Sequence, residues 1–168
     1  MSSPLDPSSI LQTAFGFWNS KVLLTAVEMG LFTKLGDRHL NGQELGSQLG
    51  LHPRGIKDFF DALVSMKFVE REGEGQEARY FNTPEGAMYL DQNSPRYIGG
   101  ILIMLNVRLF KYWHDLPEAL RTGKPQNEVK YGEQGLFEAL YKDPVNLEIF
   151  LNAMTHGCCK VGLIMPRT

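Results

Sequence analysis

Residues 41–71 read NGQELGSQLGLHPRGIKDFFDALVSMKFVER, and this stretch decides the fold. Asn41 followed three residues later by Glu44 has the form of a capping box, in which each side chain satisfies the other residue's unpaired backbone N–H. A short helix is therefore predicted through Leu45 and Leu49, with Gly50 as its stop. His52-Pro53 opens a second helix at once, because proline in the first turn gives up an N–H that has no helical partner there. Ile56, Phe59, Phe60, Leu63 and Val64 recur at threes and fours and form its apolar stripe. At Phe68-Val69-Glu70-Arg71 the pattern changes to a period of two, that of a strand. Gly73 to Gln76 makes a polar turn, and Arg79-Tyr80-Phe81-Asn82 is the returning strand. Two helices joined by a tight turn and followed by a β-hairpin predict a winged helix-turn-helix.

On the N-terminal side, Ile10, Leu11, Phe15, Trp18, Val22, Leu23, Ala26 and Val27 keep helical spacing from Asp6 to Met29. Asp6-Pro7 is read as N-cap and first-turn proline, and Gly30 as the stop, with Leu31, Phe32 and Leu35 packing the exit. On the C-terminal side, Thr83-Pro84-Glu85 starts a short helix to about Leu90. Asn93-Ser94-Pro95 is expected to start a long helix bearing Ile98, Ile101, Leu102, Leu105, Leu109, Trp113 and Leu116, running to about Arg121 and ending near Gly123. A further helix is expected around Leu136, Phe137 and Leu140. Asp143-Pro144 then caps a last one, with Leu147, Phe150, Leu151 and Met154 on one face. The expected class is mainly α: a winged-helix-like unit with a small β-hairpin over residues 1–90, and a helical extension over 91–168. Two strongly apolar stretches, Ile10 to Val27 and Ile98 to Trp113, exceed what a chain of 168 residues can cover, so a homodimer is expected.

Composition narrows the function. Hydrophobic residues make up 43% of the chain, enough for a core, while a net charge of −2 gives no general attraction to nucleic acid or anionic membrane. No run approaches the roughly 18 apolar residues of a membrane span, and the N-terminus has no leader pattern, so a cytoplasmic protein is expected. The two cysteines, Cys158 and Cys159, are adjacent and have neither disulfide-framework nor zinc spacing. His39, His52, His114 and His156 fall in separate segments, so no metal site is expected. No glycine-rich loop follows a strand, and no β-α-β alternation exists on which a nucleotide could sit, so no cofactor site is expected. No nucleophile elbow is present, and no catalytic residue is assigned. Asp58 and Asp61 read as a solvated acidic face. A DNA-reading role for the second helix is disfavoured, because Arg54 and Lys57 face those two acids and the wing carries Glu70, Glu72, Glu74 and Glu77.

Four segments in order resemble a known family, the SAM-dependent small-molecule O-methyltransferases of the caffeic-acid and hydroxyindole type, which include bacterial natural-product tailoring enzymes. They are Phe17 to Phe32 with Ala26-Val27-Glu28-Met29-Gly30-Leu31-Phe32; Leu45 to Leu63 with its Leu49-Gly50-Leu51-His52-Pro53-Arg54 centre; Tyr80-Phe81-Asn82-Thr83-Pro84; and Phe137-Glu138 followed by Asp143-Pro144, Phe150, Ala153 and Met154. The resemblance implies helices that intertwine with those of a twin, and a lid over a small aromatic or polyketide-like acceptor. It implies SAM (S-adenosyl-L-methionine) as the methyl donor, held by a Rossmann-like domain that this sequence does not contain, so the chain is expected not to transfer methyl by itself. It also implies substrate contacts at Phe150 and Met154 and, reaching a partner's pocket, at Phe15 and Trp18. The residue pattern leaves helix core open for the first pair and dimer core for the second. Two other readings stand beside this one: a standalone winged-helix transcriptional regulator, and a small-molecule binding protein derived from the methyltransferases.

Overall fold

The computed structural model describes residues 6–127, 141 and 143–154. It is mainly helical, with one small antiparallel sheet. Helix α1 spans Ser8–Glu28, and Pro7 rather than Asp6 is its N-cap. Asp6 instead bends back, its Oδ1 accepting from the Ser8 backbone N–H at 3.1 Å and from Ser8 Oγ at 2.8 Å. Gly30, at φ 70°, takes the left-handed turn that a side chain resists and leads into α2, Leu31–Leu35.

The capping box forms as the sequence dictates: Glu44 N–H donates to Asn41 Oδ1 at 2.8 Å and Asn41 N–H to Glu44 Oε2 at 2.9 Å. It opens α3, Gly42–Gln48, and α4, Pro53–Ser65, follows with His52 Nδ1 accepting from Arg54 N–H. Strand β2, Val69–Glu72, pairs antiparallel with β3, Arg79–Asn82, and a single 3-10 turn, Gly75–Glu77, lies between them. A third strand escapes the sequence reading. Leu40–Asn41, β1, pairs with β3 (Leu40 with Tyr80, Asn41 with Arg79), giving the order β1-β3-β2. Two residues are too short to show alternation, and only the pairing makes them a strand. Helix α5, Pro84–Tyr89, starts from Thr83, whose Oγ1 accepts from Gly86 N–H and donates to the Phe68 carbonyl.

These elements close on Val27, Leu31, Phe32, Leu35, Leu45, Phe60, Leu63, Val69, Tyr80 and Leu90. Burying a Leu or Phe side chain contributes about 1.5–3 kcal/mol, so this cluster is the main source of stability. Asn82 ties the sheet to α2, its Nδ2 donating to the carbonyls of Phe32 at 2.8 Å and Gly36 at 3.0 Å.

The long helix expected from Pro95 is corrected. Ser94 and Pro95 lie in a turn, where Tyr97 N–H donates to the Ser94 carbonyl, and α6 begins only at Gly99, running to Met104. The rod then widens into a π-helical turn, Leu105–Leu109, where Phe110 N–H reaches back five residues to the Leu105 carbonyl. It next tightens into a 3-10 stretch, Phe110–Asp115, before α7, Leu116–Thr122. Pro117 accounts for the tightening. It has no N–H for the Trp113 carbonyl four residues back, and Leu116 N–H takes that carbonyl in a three-residue bond. Gly123, at φ 65°, ends α7 as predicted.

Helix α8, Pro144–Ala153, is capped by Asp143, whose Oδ1 accepts from Val145 and Asn146 N–H. The helix expected around Leu136 and the cysteine pair lie outside the described residues. No described helix is long and apolar enough to cross a membrane. Helices α6 and α8 meet at Gly100, where an added Cβ would lie 2.7 Å from the Asn152 carbonyl oxygen.

In an open helix Gly→Ala gains up to about 1 kcal/mol. At Gly100 the Cβ meets rigid backbone, so Gly100→Ala is expected to destabilise by roughly 1–3 kcal/mol, read as a lower urea midpoint with unchanged slope.

Candidate functional site

The sequence writes α1 as apolar on several sides, and the structure covers only its C-terminal third. Leu24, Ala26 and Val27 are buried, whereas every residue from Ser8 to Lys21 is exposed, including Ile10, Leu11, Phe15, Phe17 and Trp18. The aromatics gather on this open stretch. Phe15 stacks on Trp18 with ring centroids 4.8 Å apart, and Phe17 meets the same indole edge-on at 5.5 Å. Contiguous exposed apolar surface of this kind marks a place of contact.

Beside it runs an open groove of about 600 Å³ between α1 and the π and 3-10 turns, its walls including Phe17, Leu24, Leu109, Phe110, Trp113 and His114. At the π-turn the contact becomes polar. Lys21 Nζ donates to Asn106 Oδ1 at 2.5 Å, and Asn106 Nδ2 donates to the Glu28 carboxylate. The Lys21 ammonium also lies 5.1 Å from the Phe110 ring centroid. Two residues further on, Arg108 is as buried as Asn106 and sets its guanidinium over the Phe150 ring of α8 at 6.0 Å.

The four residues implied as substrate contacts do not converge within one protomer's groove, whose walls include none of them. Phe15 and Trp18 are open on α1, while Phe150 is half-buried against Arg108. Met154 is 43% exposed at the end of α8. The predicted common face of α8 splits: Leu147 and Phe150 turn inward with Ala153, and Leu151 and Met154 turn outward. The close approach of Asn152 and Ala153 to Gly100 sets that rotation, and spacing alone cannot fix it. Trp113, expected in an apolar stripe, is 69% exposed, because the π and 3-10 turns take it out of the α-helical frame. The sequence reading passed over Lys21, Asn106, Arg108 and the groove position of His114. Asn106 and Arg108 carried a usable signal, two polar residues inside the apolar run Ile101 to Phe110.

On the acidic face of α4 Asp58 is exposed, as expected, and Asp61 is in addition paired: its Oδ2 meets Lys57 Nζ at 2.5 Å and its Oδ1 meets Arg71 Nη1 at 2.7 Å. The Lys57 hydrogen bond, aided by both cations, holds the Asp61 carboxyl below its ordinary range, and the same bond raises Lys57. Both cations are thus engaged by one carboxylate. His39 stacks on Phe81 at 4.1 Å, and among the described residues no cluster of His, Cys, Asp or Glu could hold a metal. The described sheet is antiparallel and has no strand leading through a glycine loop into a helix, so these residues do not fit SAM.

A mainly helical module whose first helix leaves its aromatic stretch uncovered defines an association domain. The chain carries an O-methyltransferase dimerisation domain: its residues 11–92 match the model of that family. It is 43% identical over 148 residues to the tetracenomycin polyketide synthesis 8-O-methyl transferase TcmO of Streptomyces glaucescens, covering 88% of this chain and 42% of that protein. It is 32% identical to the acetylserotonin O-methyltransferase of Gallus gallus, covering 86% and 43%. The fold superposes on human N-acetylserotonin methyltransferase in complex with SAM with a TM-score of 0.82 at 27% identity, covering 93% of this chain and 47% of that one. The chain thus spans less than half the length of these relatives.

A depressed carboxyl pKa contributes stability that is complete above the unfolded value of about 4 and is lost as pH falls through the folded one. Asp61→Asn is therefore expected to flatten the acid limb of the stability profile: urea midpoints of wild type and variant draw together between about pH 5 and pH 2. Unchanged separation across that range counts against the pairing.

Proposed function

We propose that this chain is the dimerisation and acceptor-lid region of a SAM-dependent O-methyltransferase that modifies a small aromatic or polyketide-like acceptor. The observation that carries the reading is the 43% identity to TcmO along 148 residues, which runs past the dimerisation domain into the helical extension. Residues 1–90 form a winged-helix unit used for protein contact. Residues 91–168 supply lid helices that intertwine with those of a second, identical chain in a cytoplasmic homodimer. The groove and the open stretch of α1 support this, since both present apolar surface of the kind a twin would cover. Phe150 and Met154 belong to the acceptor wall of one protomer, and Phe15 and Trp18 enter that of its partner. An aromatic ring and an adaptable thioether suit a flat organic acceptor. Methyl transfer is assigned to no residue of this chain.

Sedimentation at low micromolar concentration is expected to give a species of twice 19.0 kDa. Phe15→Ser with Trp18→Ser should shift it to monomer by raising the dissociation constant at least tenfold, since two aromatic anchors are lost. A well-folded wild-type monomer would sink the reading.

The engagement of Lys57 and Arg71 by Asp61 leaves the α4 and wing surface with little positive charge to offer phosphates. No retardation of random duplex is expected in roughly 100 mM salt up to about 10 μM protein. A salt-sensitive shift abolished by Arg54→Glu plus Lys57→Glu would favour a DNA-binding regulator instead.

A further inference from the structure

The π-turn Leu105–Leu109 reaches both of the helices to which the proposed function gives different duties, α1 through Asn106 and α8 through Arg108. Toward α1 it presents Asn106, 6% exposed, whose amide accepts from Lys21 and donates to Glu28. Toward α8 it presents Arg108, equally buried, over the ring of Phe150. Lys21 and Glu28 stand seven residues apart, on one side of α1. Opposite charges so placed address a single neutral group with two different ends, and an asparagine amide supplies one acceptor end and one donor end. Neither leucine nor aspartate could serve both. Leucine would leave two charged groups facing apolar surface, and aspartate would accept from Lys21 while repelling Glu28. π-turns interrupt helices mostly where a side chain must be presented out of frame.

We propose that Asn106 is a positioning residue that fixes the setting of α1 against the π-turn, and through the same turn the setting of Phe150, so that docking of the twin on α1 shapes the acceptor wall carried by α8. The inference rests on the reading of α1 as the dimer face and of Phe150 as acceptor wall. Its physical core is a relay of two hydrogen bonds through one amide, and that relay has a property no general packing role shares. An amide turned end for end exchanges donor and acceptor, so reversing both charges on α1 preserves the relay.

The test compares the whole 168-residue chain with Asn106→Leu, Asn106→Asp, Asn106→Asp with Glu28→Gln, and Lys21→Glu with Glu28→Lys. Two readouts are taken: the dimer dissociation constant by sedimentation, and amide hydrogen exchange in α8, with β3 as internal control. Asn106→Leu and Asn106→Asp are expected to weaken the dimer about tenfold and to speed exchange in α8 about tenfold while β3 is unchanged. Glu28→Gln should recover Asn106→Asp, because the glutamine amide donates where the carboxylate repelled. The charge reversal should come within about fivefold of wild type, since it gives up the Lys21 contact with the Phe110 ring. Failure of both recoveries overturns the proposal, as does equal acceleration of exchange in β3, which would mark ordinary loss of stability. Should Asn106→Leu not fold, the charge reversal, which alters only exposed positions, carries the decision. A wild-type monomer would refute the proposed function and void the dissociation arm, while exchange in α8 would still decide whether the relay exists.

Discussion

The structure hangs on the way α1 is divided along its length. Twenty-one residues make a rod of about 30 Å. Its last third is driven into the core by Leu24, Ala26 and Val27, which fixes where the rod points, and its first two-thirds project from that anchor with their aromatics in water. A helix apolar on several sides is normally enclosed by its own chain. Among the described residues, the α2–α5 core and α6 with α8 leave Ser8 to Lys21 exposed. The groove beside α1 lies where the π and 3-10 turns stand off the rod, next to their contacts with Lys21 at Asn106 and Phe110.

Much of the architecture was legible because its signals are local. Asn41 with Glu44, His52-Pro53, Thr83-Pro84 and Asp143-Pro144 each concern a backbone N–H within three residues of the side chain that satisfies it, and all four start the helices they predict. The hairpin followed from the change of period after Phe68. What was not legible depends on partners distant in sequence. Strand β1 exists through Tyr80 and Arg79, forty residues away, and the rotation of α8 depends on Gly100. One miss was avoidable: Pro117 sits in plain view, and its lack of an N–H predicts trouble at Trp113 without reference to anything else.

Phe15, Trp18, Phe150 and Met154, which the family resemblance implied as acceptor contacts, do not share one groove, and periodicity could not say how much of α1 remains uncovered or which way α8 faces. The polar pair Asn106 and Arg108 shows the complementary lesson. In an apolar run, the residue that breaks the pattern marks where two elements must be held in a defined relation, and hydrophobic spacing averages that signal away. The α4 surface adds a third case: shape invites comparison with DNA readers, and charge placement at Asp61 removes the means.

The π-turn bears on how such a domain diversifies. A five-residue turn amounts to one residue inserted in an α-helix, which rotates everything beyond it by about 100° relative to the uninterrupted frame. Trp113 and His114 owe their places on the groove wall to that rotation. Removal of a single codon between Leu105 and Leu109 would close the π-turn to ordinary α-helix and present a different set of side chains to the same space, leaving the α2–α5 core untouched. Lineages of this fold therefore hold a means of changing what lines the cleft by length alone, in one step, without trial of individual substitutions.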